Sequence, residues 1–202
     1  MYTPKHFQMP DVREAVSFMQ RYSFATMVNT LDGVPVATHI PFIVEQRDGT
    51  IVLLSHFAKA NPQAAASFNG TSLVIFSEPH AYISPSNYEK VQNVPTWNYI
   101  SVHAYGRAKL ISDVADIEVL LKKMIGFYEQ GYMQQWDNLE DDYKLKMMKG
   151  IVAFEIVVDD LQAKKKLSQN RTEAEQQNII ETFSKSGDAN ERQIGKYMSG
   201  KG

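Results

Sequence analysis

The run Ser55-His56-Phe57-Ala58-Lys59-Ala60-Asn61-Pro62-Gln63 is the most informative stretch of the chain for chemistry. Asn61 followed by Pro62 reads as a helix start. Asn serves as N-cap, and Pro takes the first helical position, where its missing N–H costs nothing. The free N–H groups beyond would carry the positive end of the helix dipole, and Lys59 and His56 add donors beside it. A phosphate monoester would find charge and hydrogen bonds together there. The same spacing also suits a plain strand–turn–helix connection with a solvated lysine, so the run alone leaves both readings open. Thr38-His39-Ile40-Pro41 lies on the preceding strand. Hairpin register decides whether His39 reaches the Ser55-His56 end of its partner.

A second candidate is Val94-Pro95-Thr96-Trp97-Asn98-Tyr99. Trp97 and Tyr99 could stack on a heterocycle while Asn98 bonds its edge, or the aromatics could simply anchor the start of a strand. Lys164-Lys165-Lys166-Leu167-Ser168-Gln169-Asn170-Arg171 is the only basic cluster. It offers a phosphate or nucleic-acid contact, or a solvated run before a helix. His39, His56, His80 and His103 lie in separate segments without ligand spacing, so no metal site is expected. There is no G-x-S-x-G elbow, and the absence of cysteine excludes disulfides and thiolate chemistry. No catalytic residue is assigned.

The elements that must position these residues follow from periodicity. Asp11 and Glu14 have capping-box spacing ahead of Val12, Ala15, Val16, Met19 and Tyr22 at helical intervals. Phe24 to Val28 reads as a strand ending at Asp32-Gly33. Val34 to Val44 returns as a second strand, and Asp48-Gly49 turns it into Ile51 to Leu54. A short helix from Pro62 to near Gly70 precedes a strand at Ser72 to Phe76, continued by Ala81 to Ile83. Tyr99 to Ile111 is a long strand, Asp113 starts a helix, and Ile151 to Val157 is a final strand. Thr172 and Glu175 open a C-terminal helix. The fold class expected is mainly β with flanking helices (α+β), in a closed or nearly closed barrel. Residues 1–183 are expected to form the domain, and 184–202 a polar, mobile tail.

The 202 residues carry a net charge of -2, with 44% hydrophobic and 22% charged, ordinary values for a globular protein. That charge argues against a polyanion held by bulk electrostatics. The N-terminus has no apolar signal core, and no apolar run is long enough to span a bilayer, so no membrane partner and a cytoplasmic location are expected.

Seven segments in order resemble the PaiB family of FMN-binding split-barrel proteins, usually labelled negative transcriptional regulators. They are Tyr2 to Phe7, Ala37 to Pro41, His56 to Gln63, Pro79 to Ser86, Val94 to Tyr99, Val102 to Gly106 and Lys166 to Arg171. The resemblance implies a split β-barrel like those of flavin reductases and pyridoxamine-phosphate oxidases, dimeric, with FMN in a groove between subunits. It implies that His39, Ser55, His56, Lys59 and Asn61 hold the phosphate, with Ile40 in the same cofactor-binding set. Trp97, Asn98 and Gln169 would approach the isoalloxazine ring, from the same chain or its partner. The pyridoxamine-phosphate-oxidase branch uses Arg and Lys for the phosphate, and here His39 and Lys59 would serve.

The function expected from the resemblance is a dimeric FMN-binding regulator acting through its flavin-bound state. The alternatives are an FMN-dependent oxidoreductase acting on a small-molecule substrate, and a non-catalytic flavin carrier. No helix pair with a short turn and a basic second helix stands out, which argues against direct helix-turn-helix reading of DNA.

Overall fold

In a computed structural model that describes residues 1–202, seven strands form one sheet. They are β1 (Phe24–Leu31), β2 (Val34–Pro41), β3 (Ile43–Arg47), β4 (Thr50–Ala58), β5 (Thr71–Ile83), β6 (Thr96–Ile111) and β7 (Ile151–Lys166). Their order is β2-β1-β5-β6-β7-β4-β3. The hairpin turns are the ones the Asp-Gly pairs demand. Asp32, Gly33, Asp48 and Gly49 all take positive φ, as a two-residue primed turn requires.

The sequence reading of Val34 to Val44 as one strand is corrected by the chain's bend at Phe42. Pro41 has no N–H with which to continue a ladder. The Phe42 N–H donates to Ser23 O at 2.8 Å, and the Phe42 side chain is fully buried. β2 therefore pairs with β1, β3 pairs with β4, and these consecutive strands occupy the two ends of the sheet order. The final strand runs nine residues past Val157. Its far end carries Asp159, Asp160 and three lysines, which mask the alternation.

The helices are α1 (Val12–Arg21), α2 (Gln63–Ser67), α3 (Val114–Tyr128), α4 (Met133–Asp137), α5 (Asp141–Met148), α6 (Glu173–Ser184) and α7 (Ala189–Met198). Asp113 caps α3 by accepting from the Ala115 N–H at 2.8 Å, and Thr172 caps α6 by accepting from the Glu175 N–H at 3.2 Å. Within residues 184–202 the chain forms α7. Asp188 caps it at Asn190 N (2.7 Å), and Ile194 and Gly195 are buried, an apolar signal too sparse to outweigh the polar composition.

The chain divides into two compact units: a terminal unit of Met1–Ala15, Phe76–His103 and Gln162–Gly202, and a strand-rich unit of Val16–Ile75 and Ala104–Leu161. β5, β6 and β7 each contribute residues to both. In the strand-rich unit, alternation along β4 separates two faces. Leu53, Ser55 and Phe57 share one with Phe154, whose ring stacks on Phe57 at 5.0 Å and meets Phe42 edge-on at 6.3 Å. Val52 and Leu54 share the other with Ile43 and Ala153, beneath Ile117, Leu120 and Met124 of α3 and Met148 of α5. Gly106 is required by close approach. A Cβ there would lie 2.2 Å from Val157 O. In the terminal unit the N-terminal arm lies along β7, with Gln8 bridging Lys164 and the Met9 N–H donating to Ala163 O at 3.1 Å.

Candidate functional site

Within the strand-rich unit, the candidate phosphate residues fall on β2, β4 and the turn into α2. The register separates them. His39 pairs with Thr26 on β1, not with β4, because the bend at Phe42 ends the hairpin before it. His39 is exposed, while neighbouring Ile40 points to the opposite face and is buried. Ser55 and His56 are adjacent on β4 and so face opposite ways. Ser55 is fully buried, and its hydroxyl donates to Pro41 O at 2.6 Å, tying β4 to the end of β2.

His56 is half-buried opposite Ala153, and its Nδ1 is buried with no hydrogen-bond partner. Burial pushes its imidazole below the ordinary histidine range. Two residues past Phe57, the Lys59 N–H donates to Gly150 O at 2.8 Å, while its side chain is exposed and makes no ion pair. Lys59 also stands at the edge of a cavity of about 350 Å³ lined by Ile111, Ile117, Met148 and Ile151.

Asn61 stands one residue outside the expected N-cap position, which Pro62 takes, and its Oδ1 accepts from the Gln63 N–H at 2.9 Å. The helix that follows, α2, has only five residues, shorter than the span expected from Pro62 to Gly70. Such a helix has a weak dipole, so side chains rather than the helix end must supply anion binding here. The orphaned Nδ1 of His56, the unpaired Lys59 and the Asn61 amide are donors suited to a phosphate. The residues present fit that group.

Sequence reasoning missed what lies under the turn. Thr38, Gln63, Asn29, Ser67 and Ser72 form a connected polar network. The signal was Asn29, a polar residue at the inward phase of the strand alternation Ala25, Met27, Asn29.

In the terminal unit, Trp97 is half-exposed at the start of β6, with His80 and Tyr82 beside it at ring-centroid distances of 5.6 and 6.0 Å. Asn98 points the other way and is fully buried, accepting from Ser168 Oγ at 3.1 Å and donating to Met198 Sδ at 3.5 Å. Gln169 is exposed, but its carboxamide closes its own turn. Its Oε1 accepts from the Leu167 N–H at 2.7 Å, its Nε2 donates to Lys165 O, and Ser168 between them takes φ +60°. Thr96, Asn98, Lys166 and Ser168 line a small cavity of about 130 Å³ with Asn170 and Arg171. Burial, reinforced by Lys164 and Arg171, pushes the Lys166 ammonium below its ordinary value.

The family described as "Putative FMN-binding domain" matches residues 1–160. The "Protease synthase and sporulation protein PAI 2" of Bacillus subtilis is 38% identical over the whole of this chain and 98% of its own length. This chain belongs to the FMN-binding family.

The PaiB resemblance read from the seven segments therefore stands, and FMN is the cofactor this membership brings. An uncharacterised protein of Emericella nidulans is 30% identical over 75% of this chain and 76% of its own. Among solved structures, the flavocytochrome Anf3 of Azotobacter vinelandii superposes with a TM-score of 0.64 at 18% identity, over 81% of this chain and 72% of that one. An FAD- and haem-binding protein of Mycobacterium smegmatis gives 0.61 at 20% identity, over 79% and 73%. These likenesses agree with the expected split-barrel class. No helix of the chain is long and apolar enough to cross a membrane.

Proposed function

We propose that this chain works as a dimeric flavoprotein regulator of the PaiB type. It holds FMN by its phosphate at the end of β4 and acts through the flavin-bound state. The observation that carries the reading is the set of uncommitted donors at that strand end. The Lys59 side chain makes no ion pair, and His56 Nδ1 is buried without a partner. A buried, unpaired nitrogen is costly until something bonds to it. Asn61 adds a donor in the turn that follows, whereas His39, next to the turn-facing Thr38 on β2, points the other way. In the terminal unit Trp97 offers a half-exposed face for stacking on an isoalloxazine ring, that of its own chain or of the partner chain, with Asn98 and Gln169 fixing the backbone beside it. When bound, FMN supplies the redox chemistry of its ring. The residues described here bind and orient it.

The regulatory half rests on the Bacillus relative, whose name ties it to protease synthesis and sporulation. An indirect route suits this chain better than direct reading of DNA. A helix pair with a four-residue connection does exist, α6 and α7, although the sequence reading did not pick it out. Its first helix carries Glu173, Glu175 and Glu181, and the second adds only Arg192 and Lys196 against Glu191. Such a pair presents little cationic surface to a phosphate backbone. Light scattering with flavin absorbance on the purified protein tests the first half. A dimer mass co-eluting with flavin is expected, and a flavin-free or monomeric peak contradicts it. A sequence-specific gel shift at physiological salt would overturn the indirect route.

A further inference from the structure

The hydrogen bonds beneath α2 run in one direction. Asn61 Nδ2 donates to Thr38 Oγ1 at 3.0 Å, and Thr38 Oγ1 donates to Gln63 Oε1 at 2.6 Å. Gln63 Nε2 then donates to Met27 O and Asn29 Oδ1, both at 2.9 Å. Ser67 Oγ shares its one hydrogen between Gln63 O at 2.8 Å and Asn29 Oδ1 at 3.1 Å, while Asn29 Nδ2 donates to Ser72 Oγ at 2.8 Å. Gln63, Asn29, Ser67 and Ser72 are all buried, with Gln63 only 2% exposed. Polar side chains removed from water in such number are tolerable only when they satisfy one another, and a fully satisfied network fixes one arrangement.

This network has an outer end. Asn61 is only partly buried, two residues from the unpaired Lys59. Its Oδ1 is held by the Gln63 N–H, and one hydrogen of its Nδ2 is held by Thr38. The amide therefore cannot exchange its oxygen and nitrogen without breaking both bonds, and its second N–H is left with a set direction. The Thr38 hydroxyl serves only its partners Asn61 and Gln63, and its loss leaves the buried Gln63 Oε1 without that donor. Thr38 sits half-buried on an end strand, where valine has the same shape and a good strand propensity.

We propose that the Thr38 hydroxyl and the Gln63 carboxamide are positioning residues for anion binding. They aim the remaining Asn61 N–H from the Lys59 turn at a phosphate, and so set the preference for a phosphorylated over an unphosphorylated flavin. This rests on the reading that the flavin phosphate lies at that turn. Lys59 supplies charge, and the network supplies direction. Removing one relay hydroxyl uncouples Asn61 from its buried anchor while leaving the charge in place.

The test titrates FMN and riboflavin into the wild-type full chain, Thr38→Val and Thr38→Ser, following flavin fluorescence. Hydrogen exchange at the Gln63 N–H is read in the flavin-free proteins. Thr38→Val is expected to weaken FMN about tenfold and leave riboflavin unchanged, to speed Gln63 exchange, and to be restored by Thr38→Ser. A wild-type protein with no preference for FMN overturns the phosphate reading and this inference together. Three results overturn the inference alone: an intact preference in Thr38→Val, equal weakening of both flavins, or Gln63 exchange unchanged from wild type.

Discussion

At the end of β4, Lys59 and the Nδ1 of His56 have no partner within the chain, whereas at the end of β7 every cation of the basic cluster is engaged. Lys164 donates to Tyr2 O at 3.2 Å and lies over the Tyr99 ring, and Lys165 pairs with Glu14. Lys166 donates to Thr96 Oγ1 and to Trp97 O at 2.8 Å. Arg171 donates to Asn93 Oδ1 at 2.7 Å and lies 3.9 Å from the Tyr88 ring centroid. In sequence the second region has four cations and the first has one lysine. Charge density is thus a poor guide to ligand availability. The dense cluster fastens the N-terminal arm and the start of β6, and the sparse one keeps its donors open.

Breaking this contrast most strongly is Lys59→Glu, which replaces an open cation with a charge that repels phosphate. FMN affinity is expected to fall roughly 100-fold with the thermal midpoint nearly unchanged, measured by fluorescence titration and calorimetry. Ser55→Ala has the opposite signature. The Ser55 hydroxyl is committed to Pro41 O, so its loss costs about 1–2 kcal/mol of stability and leaves the FMN-to-riboflavin ratio intact, read by urea unfolding and paired titrations. Trp97→Ala sharpens the other side. About 1 kcal/mol of stacking is lost, so FMN and riboflavin should weaken alike, by roughly fivefold, which separates ring contact from phosphate contact.

The smallest effect is on pH dependence. His56 is held below the ordinary histidine value by burial, so the unfolded chain takes up a proton first as pH falls. Stability from His56 is full above about pH 6.5 and is lost as pH falls towards the folded value. His56→Gln should flatten the difference in urea midpoint between pH 7.5 and 5.5, leaving the part due to His103, which burial shifts the same way.

The hairpins were legible in the sequence because Asp-Gly turns with positive φ leave few alternatives, and α3 and α6 because Asp113 and Thr172 are good caps. The bend at Phe42 was hidden. Val34, Val36, Ile40, Phe42 and Val44 keep one phase across it, so Pro41 was the only trace in the sequence of the break that the pairing of β3 with β4 completes. That one bend decided the position of His39. The local bond of Asn61 to the Gln63 N–H could be read from its type and its place before Pro62. The commitments of Ser55, Asn98 and Gln169 could not, because each depends on a partner distant in sequence or on a local turn at Ser168. The network through Asn29 left a trace as a polar residue in a buried phase, without any indication of what it would bond.

On the proposed reading, the uncommitted donors at the end of β4 hold the phosphate of FMN. Calorimetric titration of FMN and riboflavin into wild-type and Lys59→Ala protein tests it most directly. Wild type is expected to bind FMN at least tenfold more tightly than riboflavin, and Lys59→Ala to remove most of that difference by weakening FMN alone. Equal affinity of the wild type for the two flavins, or a preference for FMN that survives in Lys59→Ala, would contradict it.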